Sequence, residues 1–324
     1  MKAALVLSAG SISIQQQAHE INAMLKRIAT RLSSTELWLF YQDSKPELFP
    51  EIHGDLSAIK WIRIEAIHSP ESYLQLLDRL MVQWPMDLLV FASDGLGEEL
   101  ATRMGFRLNG SSCLQVEECN LISDELEVIK PVYGNNLKAR FILDAFPYCL
   151  SAAKQPSCPV KMIPYEFADR IELKLDQTQP AWIKETRTIC DAPEKSLAGA
   201  DLVLVVGQGV NNKETMDYLQ GIAKTMGAEL GASRPVVMNA WIDMNRLIGS
   251  SGLIISPKIC IAAGVSGTGV FSAGIKNSEF IVAVNTDEKA PIFQSADAGI
   301  VGDLKAVLSE LETVIRDDNK KKAS

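Results

Sequence analysis

The sequence predicts an α/β protein of two domains, and three observations lead to this class. Apolar, strand-like runs alternate with stretches of helical periodicity in the first half, and the alternation returns after Ala200. A polar, proline-containing segment at residues 191–196 separates the halves. A length of 324 residues favours two cores over one. We therefore expect an N-terminal domain, a C-terminal domain and a short tail, at residues 1–192, 196–318 and 319–324.

The N-terminal half is predicted to contain a parallel sheet. Its strands are expected at residues 3–7, 36–41, 61–64 and 88–92, and its helices at 15–32, 72–83 and 95–104. The run 88–92 is almost entirely apolar, which is typical of a strand buried on both faces. Shorter, more polar runs bounded by turn residues predict a small antiparallel part, at 113–118, 125–131 and 141–146. One more strand is expected within 171–189.

The C-terminal half is predicted to be a doubly wound parallel sheet. Apolar strands are expected at residues 202–206, 259–263, 280–284 and 299–301, with helices at 215–226 and 304–315. Gly227 stands where it would cap the C-terminus of the first of these helices.

Composition excludes several classes of protein. The net charge of −8 gives no basic surplus for nucleic acid, and no uncharged apolar run is long enough to span a membrane. The six cysteines form no C-x-x-C pair, which argues against a zinc ribbon or iron–sulfur cluster. We expect reduced thiols, no metal and a cytoplasmic location. All three histidines lie in the first quarter, so a Ser-His-Asp hydrolase in the C-terminal half is excluded.

The most informative local pattern is a glycine-rich turn after the strand at 259–263. The turn carries Gly264, Gly267 and Gly269, with the hydroxyls of Ser266 and Thr268 between them. Such a turn lets the backbone approach a ligand closely and presents N–H groups to an anion. Its G-x-x-G-x-G spacing differs from the Rossmann fingerprint, so nucleotide binding and a purely structural turn both stay open.

Other polar residues follow the neighbouring strands and would meet at the same edge of the sheet. They are Arg234, the Ser250-Ser251 pair, Asn285 and Asp303. A dinucleotide requires such a set: donors for a diphosphate, a carboxylate for ribose and a cation near an electron-rich ring. Two simpler interpretations remain, because Arg234 can serve as a surface ion-pair residue and Asp303 can cap the last helix. We expect Cys260, in the middle of a strand, to be buried and inert.

The order of these motifs resembles the electron transfer flavoprotein alpha subunit family. The resemblance rests on the motifs GASRP at 231–235, GSSG at 249–252, GVSG at 264–267, AVNTD at 283–287, APIFQ at 290–294 and ADAGIVGDL at 296–304. It covers nearly the whole chain, most specifically over 290–304. It implies a heterodimer with a beta subunit, FAD held mainly by the C-terminal domain, and transfer of electrons from a flavin dehydrogenase or oxidoreductase to a downstream acceptor. The chain would then be an electron carrier without substrate turnover of its own.

The resemblance also implies a set of FAD-binding residues. Arg234 would lie over the isoalloxazine ring, Ser250 and Ser251 at its polar edge, Ser266 at the flavin and ribityl chain, and Asn285 and Asp303 at the adenosine end. The full expected set is Gly207, Gln208, Ser233, Arg234, Ser250, Ser251, Gly252, Gly264, Val265, Ser266, Gly267, Thr268, Gly269, Val270, Phe271, Asn285, Asp303 and Leu304.

Three departures from the family pattern fall inside this set. Gln208 stands where the family usually has arginine, Ser250-Ser251 where it has Gln-Thr, and Val270-Phe271 where it has Gln-His. Each lost charge-assisted contact would weaken flavin binding by about 1.5–3 kcal/mol. The leading hypothesis is therefore a divergent carrier that retains FAD. A flavin-poor or flavin-free heterodimeric scaffold and a stand-alone nucleotide-dependent enzyme are the alternatives.

Overall fold

The computed structural model describes residues 1–8, 13–41, 48–64, 70–123, 125–133, 137–156, 160–164, 169–174, 182, 184, 197 and 200–323, with backbone only for 169–174 and 318–323. The chain divides into two compact units, Met1–Tyr133 with Leu137–Ile189, and Gly134–Asn136 with Cys190–Ser324. None of the helices in the described part of the chain is long and apolar enough to cross a membrane.

The described part of the first unit contains twelve strands and three α-helices in an α/β arrangement. In chain order the elements are β1 Lys2–Ser8, α1 Ile14–Leu25, β2 Ser34–Tyr41, β3 Phe49–Pro50, β4 Leu56–Arg63, α2 Pro70–Gln83, β5 Leu88–Phe91, α3 Gly95–Arg107, β6 Ser111–Val116, β7 Glu118–Ile122, β8 Glu125–Val132, β9 Leu137–Leu143, β10 Tyr148–Ala152, β11 Met162–Ile163 and β12 Asp169–Lys174. Seven of the strands form a parallel sheet in the order β12-β4-β2-β1-β5-β10-β6.

Strand β5 shows why this sheet requires nearly continuous apolar runs. Leu88 and Val90 enter the core on one face of the sheet, and Leu89 and Phe91 enter the core on the other. Because both faces are covered, no position of the strand is left to a polar residue. The predicted parallel sheet is confirmed.

The predicted antiparallel part is also confirmed, as the three-stranded sheet β7-β8-β9. The prediction of a single strand at 113–118 was wrong, because this range belongs to two strands, β6 and β7. Strand β6 pairs with β10 in the parallel sheet, and β7 begins the antiparallel sheet only at Glu118. Within β6, Gln115 has a positive φ of 56° and its N–H donates to the Ser151 hydroxyl, at the point where the β6–β10 register shifts.

The helix expected at 15–32 ends at Leu25. Beyond it the chain makes a turn and a short 3-10 helix, Ala29–Arg31, yet Ile28 stays fully buried. The apolar spacing therefore continues although the helix does not. Strand β12 covers the start of the strand expected within 171–189. Most of the rest of that range lies outside the described residues.

Glu20 on α1 is buried in the first unit and gives a pH-dependent prediction. Burial raises the pKa of its carboxyl, against hydrogen bonds from the Gln16 side chain (3.1 Å) and the Ser93 N–H (3.2 Å). The native state then binds a proton more readily than the unfolded state, so stability falls as pH rises from the ordinary pKa through the raised one. Glu20→Gln should flatten this part of the stability curve and cost about 1 kcal/mol, because one of the two bonds is lost.

Urea unfolding at a series of pH values checks the Glu20 prediction. Glu310→Gln, at an exposed position on the last helix, is the control and should leave the pH dependence unchanged. An unaltered slope for Glu20→Gln would contradict the prediction.

The described part of the second unit contains five strands and four α-helices. They are β13 Leu202–Val206, α4 Lys213–Met226, β14 Glu229–Ala232, α5 Arg234–Met238, β15 Ile259–Ala263, α6 Gly269–Ile275, β16 Phe280–Asn285, β17 Ala298–Val301 and α7 Leu304–Ala323. All pairings are parallel, in the order β14-β13-β15-β16-β17. The predicted doubly wound sheet is confirmed, and Gly227 ends α4 in the left-handed conformation.

The order of the strands places a crevice at one edge of this sheet. The chain leaves β13 for β14 on one side and returns to β15 on the other, so the neighbouring connections diverge between β13 and β15. Ligands of open α/β sheets bind outside the carboxyl ends of the strands at such a switch point. The glycine-rich turn after β15 stands at this point.

Candidate functional site

A cleft of about 680 Å³ opens at the carboxyl ends of the strands in the second unit. Thirteen of the eighteen expected site residues line it: Gln208, Ser233, Arg234, Ser251, Gly264, Val265, Ser266, Thr268, Val270, Phe271, Asn285, Asp303 and Leu304. Residues far apart in the sequence therefore meet in one place, as the positions of the loops after the strands predict.

The loop at 264–268 uses its backbone acceptors and donors unequally. Each of its five carbonyl oxygens accepts a hydrogen bond within the unit, from the Gly209 N–H, the Asn285 amide, the Ile292 N–H, the Ser272 hydroxyl and the Ser272 N–H in turn. By contrast, no described residue accepts a hydrogen bond from the N–H groups of 265–268. A loop whose acceptors are used and whose donors are left over favours a negatively charged ligand.

Two hydroxyl groups add to these donors. The side chains of Ser266 and Thr268 are exposed at the cleft and hydrogen-bond to no described residue. Gly264 and Gly267 have φ values of +64° and +82°, which side chains rarely adopt. Glycine at these two positions permits the tight curvature of the loop.

A single positive charge lies at another part of the cleft. Among the described residues that line it, Arg234 is the only cation. Its Nη2 donates to the Ser251 hydroxyl at 2.5 Å, which joins the start of α5 to the turn at 249–252. The guanidinium has further N–H donors beyond this one.

Asn285 and two carboxylates mark the opposite part of the cleft. The Asn285 amide donates to the Val265 carbonyl at 2.7 Å, and its oxygen accepts from the Asp287 N–H at 3.0 Å. One oxygen of Asp303 accepts the N–H groups of Lys305 and Ala306, both at 3.0 Å, so Asp303 does cap α7. Its second oxygen has no partner among the described residues.

Five expected residues do not line the cleft: Gly207, Ser250, Gly252, Gly267 and Gly269. For three of them the reason is packing between loops. A Cβ on Gly207, Gly252 or Gly267 would overlap backbone atoms of Gly264, Leu247 or Ile292. These glycines allow the loops around the cleft to come together.

The structure also brings in residues that sequence reasoning did not select. They are Gly209, Asn211, Pro235, Leu247, Ile248, Gly249, Val284, Thr286, Asp287, Ala290, Pro291 and Gly302. Asp287 is the most polar of them, and its position two residues beyond the end of β16 was the available signal. Together with Asp303 it makes two carboxylates against one guanidinium among the described residues that line the cleft.

Phe271 and Val270 occupy different environments. Phe271 is only 6% exposed and packs in a core with Ile248 and Ile275, so it forms the inner wall of the cleft. Val270 is 46% exposed. Cys260 lies in the same core, and burial raises the pKa of its thiol to about 12, in line with an inert cysteine.

Two glycine substitutions test how the loop at 264–268 is held. We expect Gly267→Ala to destabilise the second unit by about 2 kcal/mol or more, because a Cβ would be strained at this φ and would overlap Ile292. Gly221→Ala is the matched control, since nothing lies near its Cβ inside α4, and it should stabilise by about 0.5–1 kcal/mol. Thermal unfolding measures both, and equal melting temperatures would contradict the prediction.

A doubly wound parallel sheet with an anion-suited loop at its switch point defines a nucleotide-binding α/β unit. Comparison with known proteins gives the family. A sequence model of a protein family, described as the electron transfer flavoprotein FAD-binding domain, matches residues 196–276. The cleft-lining loops up to Phe271 fall within this range.

Several relatives match over most of the chain. YgcQ of Escherichia coli K12, provisionally named an electron transfer flavoprotein subunit, is 36% identical over 249 residues, covering 75% of this chain and 85% of YgcQ. A mitochondrial protein of Saccharomyces cerevisiae, provisionally named an electron transfer flavoprotein alpha subunit, is 30% identical and covers 75% and 70%. LctC of Acetobacterium woodii, a subunit of a lactate dehydrogenase (NAD(+),ferredoxin), is 29% identical and covers 76% and 59%. The chain belongs to the electron transfer flavoprotein alpha subunit family.

FAD is the cofactor of this domain, and the residues present suit it. The N–H groups and hydroxyls at 265–268 have no acceptor among the described residues and suit a diphosphate; the second Asp303 oxygen, which likewise has no described partner, suits a ribose hydroxyl. Arg234 matches a ring system that gains negative charge. No described residue of the cleft supplies a cation near the loop, because the side chain at position 208 is a glutamine.

Proposed function

We propose that the chain is the FAD-containing alpha-like subunit of a heterodimeric electron carrier. With a beta subunit, it would take electrons from a flavin dehydrogenase or another oxidoreductase and pass them to a downstream acceptor. The observation that carries the proposal is the loop at 264–268: each of its carbonyls accepts a hydrogen bond, whereas no described residue accepts one from the N–H groups of 265–268. Because members of the family transfer electrons, we propose that the loop binds the FAD that carries them.

Each part of the cleft has a proposed task toward FAD. The loop at 264–268 would hold the diphosphate and ribityl chain, Asn285 and Asp303 the adenosine, and Arg234 the isoalloxazine. Phe271 and Val270 would supply apolar surface beside the ring. We extend the proposal to Asp287, whose backbone N–H donates a hydrogen bond to the side-chain oxygen of Asn285.

FAD supplies the redox chemistry when bound, and the chain's own residues bind and orient it. Arg234 would hold positive charge near the ring, and the buried wall around Phe271 would exclude water from one side. We propose no substrate-converting step for this chain.

The partners are proposed from the relatives. Pairing with a beta-like subunit follows from the family, and a partner oxidoreductase is supported by the lactate dehydrogenase of which LctC is a subunit. A cytoplasmic location is supported by the free thiols of Cys113, Cys119, Cys149 and Cys260.

A second function, a heterodimeric scaffold without flavin, is favoured by one specific feature. Among the described residues that line it, the cleft has two carboxylates and one guanidinium, so these side chains do not compensate the charge of a diphosphate. The two functions predict different flavin contents for the purified heterodimer.

Co-expression with a beta-like subunit tests the proposal. We expect a one-to-one heterodimer that carries the visible absorption of bound flavin, and a flavin-poor chain when the alpha-like subunit is expressed alone. A colourless heterodimer that takes up no added FAD would favour the scaffold. A monomer that binds FAD stoichiometrically would contradict the need for a partner.

A further inference from the structure

Strand β17 lies at one edge of the sheet in the second unit and is poorly covered. None of its four residues is buried, whereas the central strand β15 buries four of its five. Ile300 of β17 is 43% exposed, and its register partner Val284 on β16 lies in one core with Leu308 of α7. Because paired residues of neighbouring strands point to the same side of a sheet, Ile300 lies on the face that α7 covers.

Helix α7 continues this apolar surface along one of its sides. Val307, Leu311 and Val314 recur at the spacing that places side chains on one face of a helix. Val307 and Leu311 pack against the core, and a Cβ on Gly302, directly after β17, would lie 3.4 Å from the Val307 side chain. This stripe of α7 therefore runs beside β17. Val314, at its far end, is 63% exposed.

The stripe ends near another exposed apolar side chain. Helix α7 starts directly after β17 and runs back along the sheet, so Val314 lies about 15 Å from its start, toward the amino ends of the strands. Phe280, the first residue of β16, is 44% exposed at that edge and points to the same side as Val282. We call this apolar surface the α7–β17 strip; it consists of Phe280, Ile300, Val307, Leu311 and Val314.

The architecture of the sheet explains why the strip has no cover among the described residues. A parallel sheet is normally covered by helices on both faces. Helices α4 and α7 supply the described cover on this face and lie over the central strands, which leaves β17 bare beside α7. The bare surface has the position of one more helix of the layer. An amphipathic helix of another molecule can lay its apolar face there.

The charges at the border of the strip define the partner further. Glu310 lies on α7 between Val307 and Val314, and Glu279 and Asp297 lie at the amino ends of β16 and β17. All three carboxylates are exposed, and none forms an ion pair with a described residue. A second copy of this chain would bring the same carboxylates together, and like charges disfavour such a contact. The border therefore favours a partner whose apolar face is flanked by lysine or arginine.

We propose that the α7–β17 strip is a docking surface for an amphipathic helix of the beta-like subunit, with basic residues flanking the apolar face of that helix. The inference rests on the heterodimer of the proposed function. The helix would complete the layer over β17 without entering the FAD cleft, because Phe280, Ile300 and Val314 do not line the cleft. The second unit then has separate sites for the partner and the cofactor.

Hydrogen exchange tests this surface in the wild-type proteins. Amide exchange is compared between the free chain and its heterodimer with the beta-like subunit. We expect exchange at 298–301 and 307–314 to slow in the heterodimer, because both segments become covered. The segment 217–224 of α4, away from the strip, is the internal control and should change less.

Two variants measure the contribution of the strip to pairing. Ile300→Gln and Val314→Gln should each raise the dissociation constant of the heterodimer about fivefold or more, because an apolar contact is lost. Val82→Gln, at an 85% exposed position on α2, is the matched control and should change the constant by less than about twofold. Calorimetric titration with the beta-like subunit gives the constants, and melting temperatures confirm that each variant folds.

A charge reversal tests the basic flank of the partner. Glu310→Lys should raise the dissociation constant about threefold at low salt, and added salt should reduce this difference because the charges are screened. Glu214→Lys, at an exposed position on α4, makes the same change of charge and should have an effect below about twofold. A constant that falls or stays the same in Glu310→Lys would contradict a basic partner.

Two results would overturn the inference while the heterodimer itself stands: unchanged exchange at 298–301 and 307–314 on pairing, or effects of Ile300→Gln and Val314→Gln no larger than that of Val82→Gln. A free chain that dimerises, with Val314→Gln abolishing the dimer, would assign the strip to a second copy and overturn it as well. A wild-type chain that forms no heterodimer would instead refute the proposed function, and this inference with it.

Discussion

Arg234→Ala is expected to lower the reduction potential of the bound flavin by about 60 mV. Arg234 is the only cation among the described residues of the cleft, so nothing there replaces its charge. The oxidised ring is neutral and gains negative charge on reduction, which a nearby guanidinium favours. A charge-assisted contact contributes about 1.5–3 kcal/mol, and a tenfold change in a one-electron equilibrium corresponds to about 59 mV.

Redox titration of the heterodimer measures this effect. Arg234→Lys should recover only part of the potential, because a point charge does not reproduce a planar fork and its bond to Ser251. Arg316→Ala, which removes an arginine paired with Glu312 on α7, is the control and should leave the potential unchanged. An unchanged potential in Arg234→Ala would refute the placement of Arg234 near the ring.

Gln208→Arg is expected to strengthen FAD binding about tenfold or more. Gln208 is exposed at the cleft after β13, close to the loop at 264–268, since Gly209 donates its N–H to the Gly264 carbonyl. An arginine there would add the missing positive charge for the diphosphate. A charge-assisted contact of about 1.5–3 kcal/mol corresponds to tenfold or more in affinity.

Fluorescence titration with FAD at two salt concentrations checks the Gln208 prediction. Affinity of the variant should fall more with added salt than that of the wild type, because the new attraction is screened. Gln220→Arg, on the exposed face of α4 away from the cleft, controls for a general gain of charge. If both variants bind FAD equally well, position 208 does not face the diphosphate.

The strand–turn element at the centre of the site was predictable because its signals are local. Five apolar residues predicted β15 with its observed bounds, and the glycines after it predicted a tight turn. The same holds for Gly227, where the end of a helical pattern and a glycine coincide. At these positions the residues that determine the structure are neighbours in the sequence, so the sequence pattern alone predicts it.

The roles of individual glycines were not predictable in the same way. Gly267 was expected to contact the ligand, but its Cβ position faces Ile292, which is distant in sequence. A glycine required for contact with a ligand and one required for contact between two loops look identical in a sequence. Strand β14 was not predicted; within it, Gly231 leaves space for the Ile248 side chain, which is also distant in sequence.

Two errors in the first unit came from tertiary contacts. The helix expected to extend to Leu32 ends at Leu25. Ile28 lies in the turn beyond it and is nevertheless buried in the core, so its burial did not require a longer helix. The single strand expected at 113–118 is divided in two, because the first part, β6, pairs with β10 in the parallel sheet. In both cases the apolar residues were correctly expected to be buried, but the backbone buries them by another path.

The FAD content of the purified heterodimer, compared between the wild type and Ser266→Asp, tests the central claim most directly. The carboxylate would stand among the unpaired N–H groups at 265–268 and repel a diphosphate, while an exposed loop position should tolerate the change. The account predicts about one FAD bound in this cleft per alpha-like chain in the wild type, and the loss of that FAD in the variant. A wild-type heterodimer without flavin, or a Ser266→Asp variant that retains its full flavin content, would contradict it.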